Sequence, residues 1–133
     1  MQSTVQILKA ISDESRLRIL NLILSADEIC VCDIESTLEF SQTKVSRHLT
    51  ILKNAGLVND RRQGLWILYT YTGGTAEPHR KLLAGLKDVF GADPIFQEDI
   101  KRLKQAVNNG QCKTFNVIHP DRASKVMQLQ GDL

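Results

Sequence analysis

The stretch F-S-Q-T-K-V-S-R-H-L-T-I-L-K-N-A-G-L-V, residues 40 to 58, decides the fold. Ser41 suits a helix N-cap, because its side-chain oxygen can accept an N–H from the first turn. Phe40 before it and Val45 after it are spaced for a hydrophobic staple. Gly56 stands where a helix closes in the left-handed conformation. Val45, Leu49 and Leu52 repeat at helical spacing and define a buried stripe. At about 100° per residue, Thr43, Ser46, Arg47, Thr50 and Asn54 fall on the opposite face, with Gln42 and Lys53 at its edge. His48 lies beside the stripe and is expected to pack there rather than touch a partner.

Upstream, Val5, Leu8 and Ile11 predict a short first helix. Ser12 is expected to cap a second, with Asp13 and Glu14 in its first turn, where the helix dipole favours acids. Leu17, Leu20 and Leu24 are its apolar stripe. A brief third helix is expected from near Cys32 to Leu38. Downstream, L-V-N-D-R-R-Q-G-L-W-I-L-Y-T-Y-T, residues 57 to 72, holds two strand-like runs hinged near Gln63 and Gly64. Helix, turn, helix and basic hairpin in that order make a winged helix-turn-helix, a mostly α fold with a β-hairpin wing (α+β). Pro78 opens a further helix carrying Leu82, Leu83, Leu86, Val89 and Phe90. Asp93-Pro94 opens another, with Phe96, Ile100, Leu103 and Val107 on one side, ended by Asn108, Asn109 and Gly110. The residues from Gln111 onward are mixed in composition and predict only partial order. His79 and His119 are expected at the surface.

A chain of 133 residues, 42% hydrophobic, fits one domain with a modest core. Three cysteines are too few for a disulfide framework. Met1 to Ala10 lacks the basic start and apolar core of a signal peptide, and no run approaches the ~18 apolar residues of a membrane span. A cytoplasmic chain with reduced thiols is therefore expected. The net charge of +2 hides a local asymmetry. Up to Glu39 the acids Asp13, Glu14, Asp27, Glu28, Asp33, Glu35 and Glu39 outnumber Lys9, Arg16 and Arg18. From Phe40 to Trp66 the balance reverses: Lys44, Arg47, Lys53, Arg61 and Arg62 face only Asp60. One basic segment in a near-neutral chain points to a local anionic partner.

A helix of this kind fits the major groove of DNA, whose base edges are read by polar side chains near the helix N-terminus. Gln42, Thr43, Ser46 and Arg47 meet that need; Gln can pair with adenine and Arg with guanine. Ser41 and Lys44 suit phosphate, and Arg61 and Arg62 on the hairpin suit backbone or minor groove.

The same residues carry a family resemblance. Ser41, Gln42, Val45, Ser46, Arg47, His48, Leu49, Leu52, Ala55, Gly56, Leu57 and Val58, followed by Arg61, Arg62, Gly64, Trp66 and Tyr69, resemble the core of the ArsR/SmtB family of metal-sensing repressors. D-E-S-R-L-R-I-L at 13 to 20 resembles that family's second helix. The resemblance runs from about Val5 to Thr72. It implies a homodimeric winged helix that binds an inverted-repeat operator and leaves it when a ligand binds, with the first and fifth helices building the dimer. On this reading residues 1–110 form the DNA-binding and dimerisation domain and residues 111–133 a C-terminal tail.

The stretch E-I-C-V-C-D-I-E, residues 28 to 35, brings Cys30 and Cys32 two positions apart. Thiolates are soft ligands, suited to As(III), Sb(III), Cd(II) or Pb(II). In a regular helix two such residues point about 200° apart, so both sulfurs meet one ion only if the segment is extended or its first turn unwound. The arsenic-responsive branch of the family opens its third helix with a similar C-V-C-D segment. This resemblance implies release by trivalent arsenic or antimony, with cadmium, lead, thiol oxidation or persulfide as the alternative signals. Those arsenic repressors often carry a third cysteine where this chain has Glu35; Cys112, from the same chain or the dimer partner, could supply it if the C-terminal segment folds back, and otherwise it is an uninvolved tail cysteine and an exogenous thiol or water serves as third ligand. A zinc-type site on the fifth helix is not expected, because His79 has no second histidine beyond it. No G-x-S-x-G, Walker or H-E-x-x-H pattern suggests an enzyme. A winged helix that binds protein instead remains compatible with the fold, but the polar face and the two arginines argue against it.

Overall fold

The computed structural model describes residues 3–129 apart from Thr75; the ends of both segments assigned above, residues 1–2 and 130–133, lie outside the described residues. Helices α1 (Thr4–Ile11) and α2 (Glu14–Ala26) lead into a short strand, β1 (Glu28–Cys30). Then come α3 (Val31–Leu38), α4 (Gln42–Asn54), the hairpin β2 (Val58–Gln63) and β3 (Trp66–Tyr71), α5 (Glu77–Ala84), α6 (Leu86–Ala92) and α7 (Pro94–Asn108). The chain ends in a π-helical turn at Thr114–Ile118, a tight turn at Pro120–Arg122 and α8 (Ala123–Val126). The architecture is the winged helix-turn-helix, mostly helical with a small antiparallel sheet.

α4 forms where the sequence placed it. Ser41 caps it, accepting the Lys44 N–H at 3.1 Å. Gly56, at φ 77°, ends it: Gly56 N–H bonds the Lys53 carbonyl and Leu57 N–H the Leu52 carbonyl, which satisfies two of the last free carbonyls. Val45, His48, Leu49 and Leu52 are its buried side. Four expectations are corrected. Asp13 rather than Ser12 caps α2, accepting the Arg16 N–H at 3.0 Å, because Ser12 is already spent closing α1 on the Lys9 carbonyl. α2 buries Ile19, Leu20, Leu22, Ile23 and Ala26, while Leu17 and Leu24 are half-buried; it packs against α1, α4, α7 and the sheet, so more than one stripe is covered. The helix expected after Pro78 is two, separated at Gly85, with Leu83 and Phe90 inside. The sheet has three strands in the order β1-β3-β2, with Cys30 opposite Leu68 and Arg61 opposite Leu68 on the other side. β1 spans three residues, too short for any alternation to show in the sequence.

The C-terminal segment is folded through Leu129 rather than partly ordered. Cys112, Thr114, Phe115 and Val126 are buried in or beside the main core.

Candidate nucleic-acid interface and thiol site

On α4 the outer face is open. Gln42, Thr43, Ser46 and Arg47 are exposed, and their side chains have no hydrogen-bond or ionic partner among the described residues. Below them the helix is held firmly. The Arg18 guanidinium grips the buried Asp99 carboxylate on α7 at 2.8 and 2.9 Å, and lies 5.2 Å from the centroid of the Phe40 ring just before α4. Lys44 sets its ammonium 3.8 Å from the same ring, so its charge sits at the start of the helix. His48 is buried and meets Arg16 at 3.2 Å; burial pushes its pKa below the usual histidine value. It packs at the helix boundary, as its position beside the stripe suggested.

The wing treats its two arginines differently, because successive strand residues face opposite sides. Arg62 is exposed, with no partner among the described residues. Arg61 is engaged: its Nε and Nη2 donate to both Glu28 carboxylate oxygens at 2.6 Å, and its Nη1 donates to Gln63 at 2.9 Å. Leu65 stands at the hairpin tip with 96% of its surface exposed. Lys53 at the end of α4 pairs with Asp60 on β2 at 2.8 Å, tying helix to wing.

The thiol site lies where β1 becomes α3. Cys30 is the last residue of β1 and the N-cap of α3, extended at φ −68°, ψ 140°. Cys32 and Asp33 follow in the first helical turn. One ligand atom from each of Cys30, Cys32 and Asp33 lies within 4.8 Å of the others. The 200° separation expected for a helix does not apply, because Cys30 sits outside it; α3 needs no unwinding to bring the sulfurs together. Burial, then a hydrogen bond with Cys30 and the nearby Asp33 charge, push the Cys32 thiol well above the ordinary cysteine range.

The C-terminal segment covers this site. The Asp33 carboxylate, 3% exposed, accepts the Lys113 N–H at 2.9 Å, the Thr114 N–H at 2.7 Å and the Thr114 hydroxyl at 2.5 Å. Thr114 Oγ1 in turn accepts the Cys30 N–H at 2.8 Å. Cys112 is buried, and burial followed by the Asp33 charge pushes its thiol up to about 12. His119, expected at the surface, bonds the Glu28 carboxylate at 2.9 Å. Glu28 thus joins the wing, the C-terminal segment and β1; the Arg61 fork holds its carboxyl below the usual range against the opposing effect of burial. His79, also expected outside, is half-buried and shares a hydrogen bond of 3.1 Å with Thr4 of α1.

Sequence reasoning missed Glu28, Asp33 and Thr114. Asp33 carries a signal in hindsight. It stands three residues after the N-cap, where an acidic side chain usually returns to the capping residue's N–H. Here Thr114, 81 positions away, takes that N–H and bonds Asp33 instead.

Residues 13–60 match the family described as bacterial regulatory protein, arsR family. The arsenical resistance operon repressor of Escherichia coli (strain K12) is 46% identical over 65 residues, covering 49% of this chain and 56% of that protein. The chain therefore matches little more than half the length of that relative. The putative arsenical resistance operon repressor ArsR2 of Halobacterium salinarum is 39% identical over 92 residues, 68% of this chain and 74% of that one. Among solved structures, HlyU from Vibrio cholerae N16961 superposes with a TM-score of 0.55 at 34% identity, covering 64% of this chain and 88% of that chain.

Proposed function

The chain belongs to the arsR family of bacterial regulatory proteins, and on that premise we propose that it is a DNA-binding repressor of a resistance operon. Its signal is trivalent arsenic or antimony, taken by the thiols of Cys30 and Cys32. The observation that carries this reading is the pairing of an open polar face on α4 with a two-thiol cluster at the head of α3, the helix that packs against it. Gln42, Thr43, Ser46 and Arg47 read base edges; Ser41, Lys44 and Arg62 meet phosphate. Arg61 joins them only through the part of its fork that Glu28 and Gln63 leave free.

Two copies present two α4 helices to successive major grooves of an inverted repeat. Exposed apolar residues support the dimer: Val5 (60%) and Leu8 (44%) on α1, and Leu82 (46%) and Val89 (48%) on α5 and α6. The Thr4–His79 hydrogen bond keeps α1 and α5 side by side.

The donor set fits a soft trivalent ion, which would supply the bonds that draw the two sulfurs together. Cys30 is fixed to β3 through the sheet, and Cys32 rides on α3. A change in their separation moves α3, and with it α4, relative to the wing. A typical coupling of about 1–3 kcal/mol between ligand and operator would release the DNA, and it acts equally in both directions. The Asp33 oxygen in the cluster favours a second reading, cadmium or lead, which accept mixed sulfur and oxygen donors.

A DNA-release titration with arsenite, antimonite, cadmium, lead and polysulfide tests both. Arsenite and antimonite are expected to release the DNA without oxidant. Release by cadmium or lead alone would select the second reading; release by polysulfide or peroxide alone would replace both with a thiol-oxidation switch. DNA binding should weaken steeply with salt; a flat response would turn the face on α4 into a protein-docking surface.

A further inference from the structure

We propose that a cavity walled by the C-terminal segment is a second ligand site, built for a small organic anion with a flat apolar body. The proposal goes beyond the switch at the head of α3 and does not depend on which ion the thiols take. The cavity, about 370 Å³, lies between α2, α6, α7 and α8. That falls within the range of small-molecule sites, about 300–1,000 Å³. Its outer wall, from Phe115 to Leu129, stands outside the residues matched to the family.

Leu24, Phe90, Ile100, Phe115 and Val126 give the cavity an apolar lining. Lys87, Arg122 and Lys125 line it as well, against one acid among the described residues, Asp27. Lys87 and Lys125 are exposed, and water accounts for their charge. Arg122 is different. It is half-buried, and its side chain has no hydrogen-bond or ionic partner among the described residues. Arginine seldom leaves water without a partner, and its planar fork of five donors matches a carboxylate. Carbon walls with a positive edge select an amphipathic anion. The apolar body displaces water from the aromatic and aliphatic surfaces, and the carboxylate meets the fork. A neutral molecule of the same shape leaves the fork unpaired, and a cation meets three like charges.

The walls are held in place by their own bonds. Lys104 on α7, 3% exposed, donates to the Leu129 carbonyl and pins the far end of the segment. Asn21 on α2, also 3% exposed, donates to the Phe96 carbonyl at 2.9 Å. The Gln97 amide donates to the Gly91 carbonyl, tying α7 to α6. At the near end Thr114 is bonded to Asp33 and to the Cys30 N–H, directly before Phe115. An occupant therefore binds without having to order the walls, which favours affinity. The segment that clasps the head of α3 is the same one that closes the cavity.

Methyl-resolved NMR on the full chain tests this with three probes of similar shape: naphthalene carboxylate, naphthalene methanol and naphthylmethylammonium. The carboxylate should shift the methyls of Leu24, Val126 and Leu129. It should bind at least about tenfold tighter than the alcohol, as one charge-assisted hydrogen bond implies, and the cation should bind more weakly than either. In Arg122→Gln the carboxylate should lose about tenfold in affinity, while the alcohol binds as before. Alcohol or cation binding as tightly as the carboxylate would overturn the anion site. So would equal weakening of carboxylate and alcohol in the variant, which would leave Arg122 a wall residue only. No shift at the three methyls, or shifts confined to the exposed Leu82 and Val89, would remove the site altogether. The comparison of probes on the wild type decides the matter even where the variant loses its fold. None of these outcomes touches the thiol switch, which stands or falls on the arsenite titration.

Discussion

The outer face of α4 and the first turn of α3 belong to neighbouring helices, yet they treat polar groups in opposite ways. On α4, Gln42, Thr43, Ser46 and Arg47 stand in water with their hydrogen-bonding capacity unspent among the described residues. At α3, Asp33 is buried and accepts three hydrogen bonds from residues 80 or more positions away. An unspent polar face costs the fold nothing and waits for an outside partner. A spent one holds the fold and moves only when something replaces its bonds. The contrast teaches where each mutation should register: in DNA affinity for the first region, in stability and ligand response for the second.

The largest effect should come from the buried ion pair that joins α2 to α7. Arg18→Ala leaves the Asp99 carboxylate buried at 1% exposure without its partner, and should cost about 3 kcal/mol or more in urea unfolding. A loss under about 1 kcal/mol would mean that water reaches Asp99. Next, Asp33→Ala strands the Lys113 and Thr114 donors at the thiol site, and calorimetry should show a loss of about 1–3 kcal/mol. An unchanged melting curve would show that the C-terminal segment is held by its apolar residues alone. The mirror-image variant is Arg47→Ala. Fluorescence anisotropy should show DNA binding weaker by about 1–3 kcal/mol, while stability stays within about 0.5 kcal/mol. A stability loss matching the affinity loss would erase the distinction between the two faces. The smallest effect is Arg62→Ala, which should weaken all DNA sequences alike and lower the salt slope by about 1. Selective loss at one base position would make Arg62 a base reader instead.

The reader helix was legible because its signals are local. Ser41 and Gly56 bound a single run whose apolar stripe is Val45, Leu49 and Leu52, and the structure keeps the cap, the closing turn and the buried side at those residues. The thiol pair was legible as a pair but not as a place. The short strand that puts Cys30 outside α3 comes from pairing with β3, some forty residues on, and three residues carry no periodicity to reveal it. Long-range partners were the general blind spot. The residues from Gln111 onward looked mixed, because Phe115 and Val126 fill the core singly while Thr114 and His119 spend their polar groups on Asp33 and Glu28. Arg61 was read as a charge on a wing, and it is one, but its fork closes on a carboxylate two residues ahead of Cys30. That pairing is visible only once β1 is known to belong to the sheet.

The central claim is that the thiols at the head of α3 command a reading surface that does not itself need them. It is tested most directly by titrating arsenite into the DNA complex of the Cys30→Ser/Cys32→Ser double variant beside wild type. The account predicts equal DNA affinity for the two proteins without arsenite, and release of the wild type only. Release of the double variant at the same arsenite concentration would contradict it.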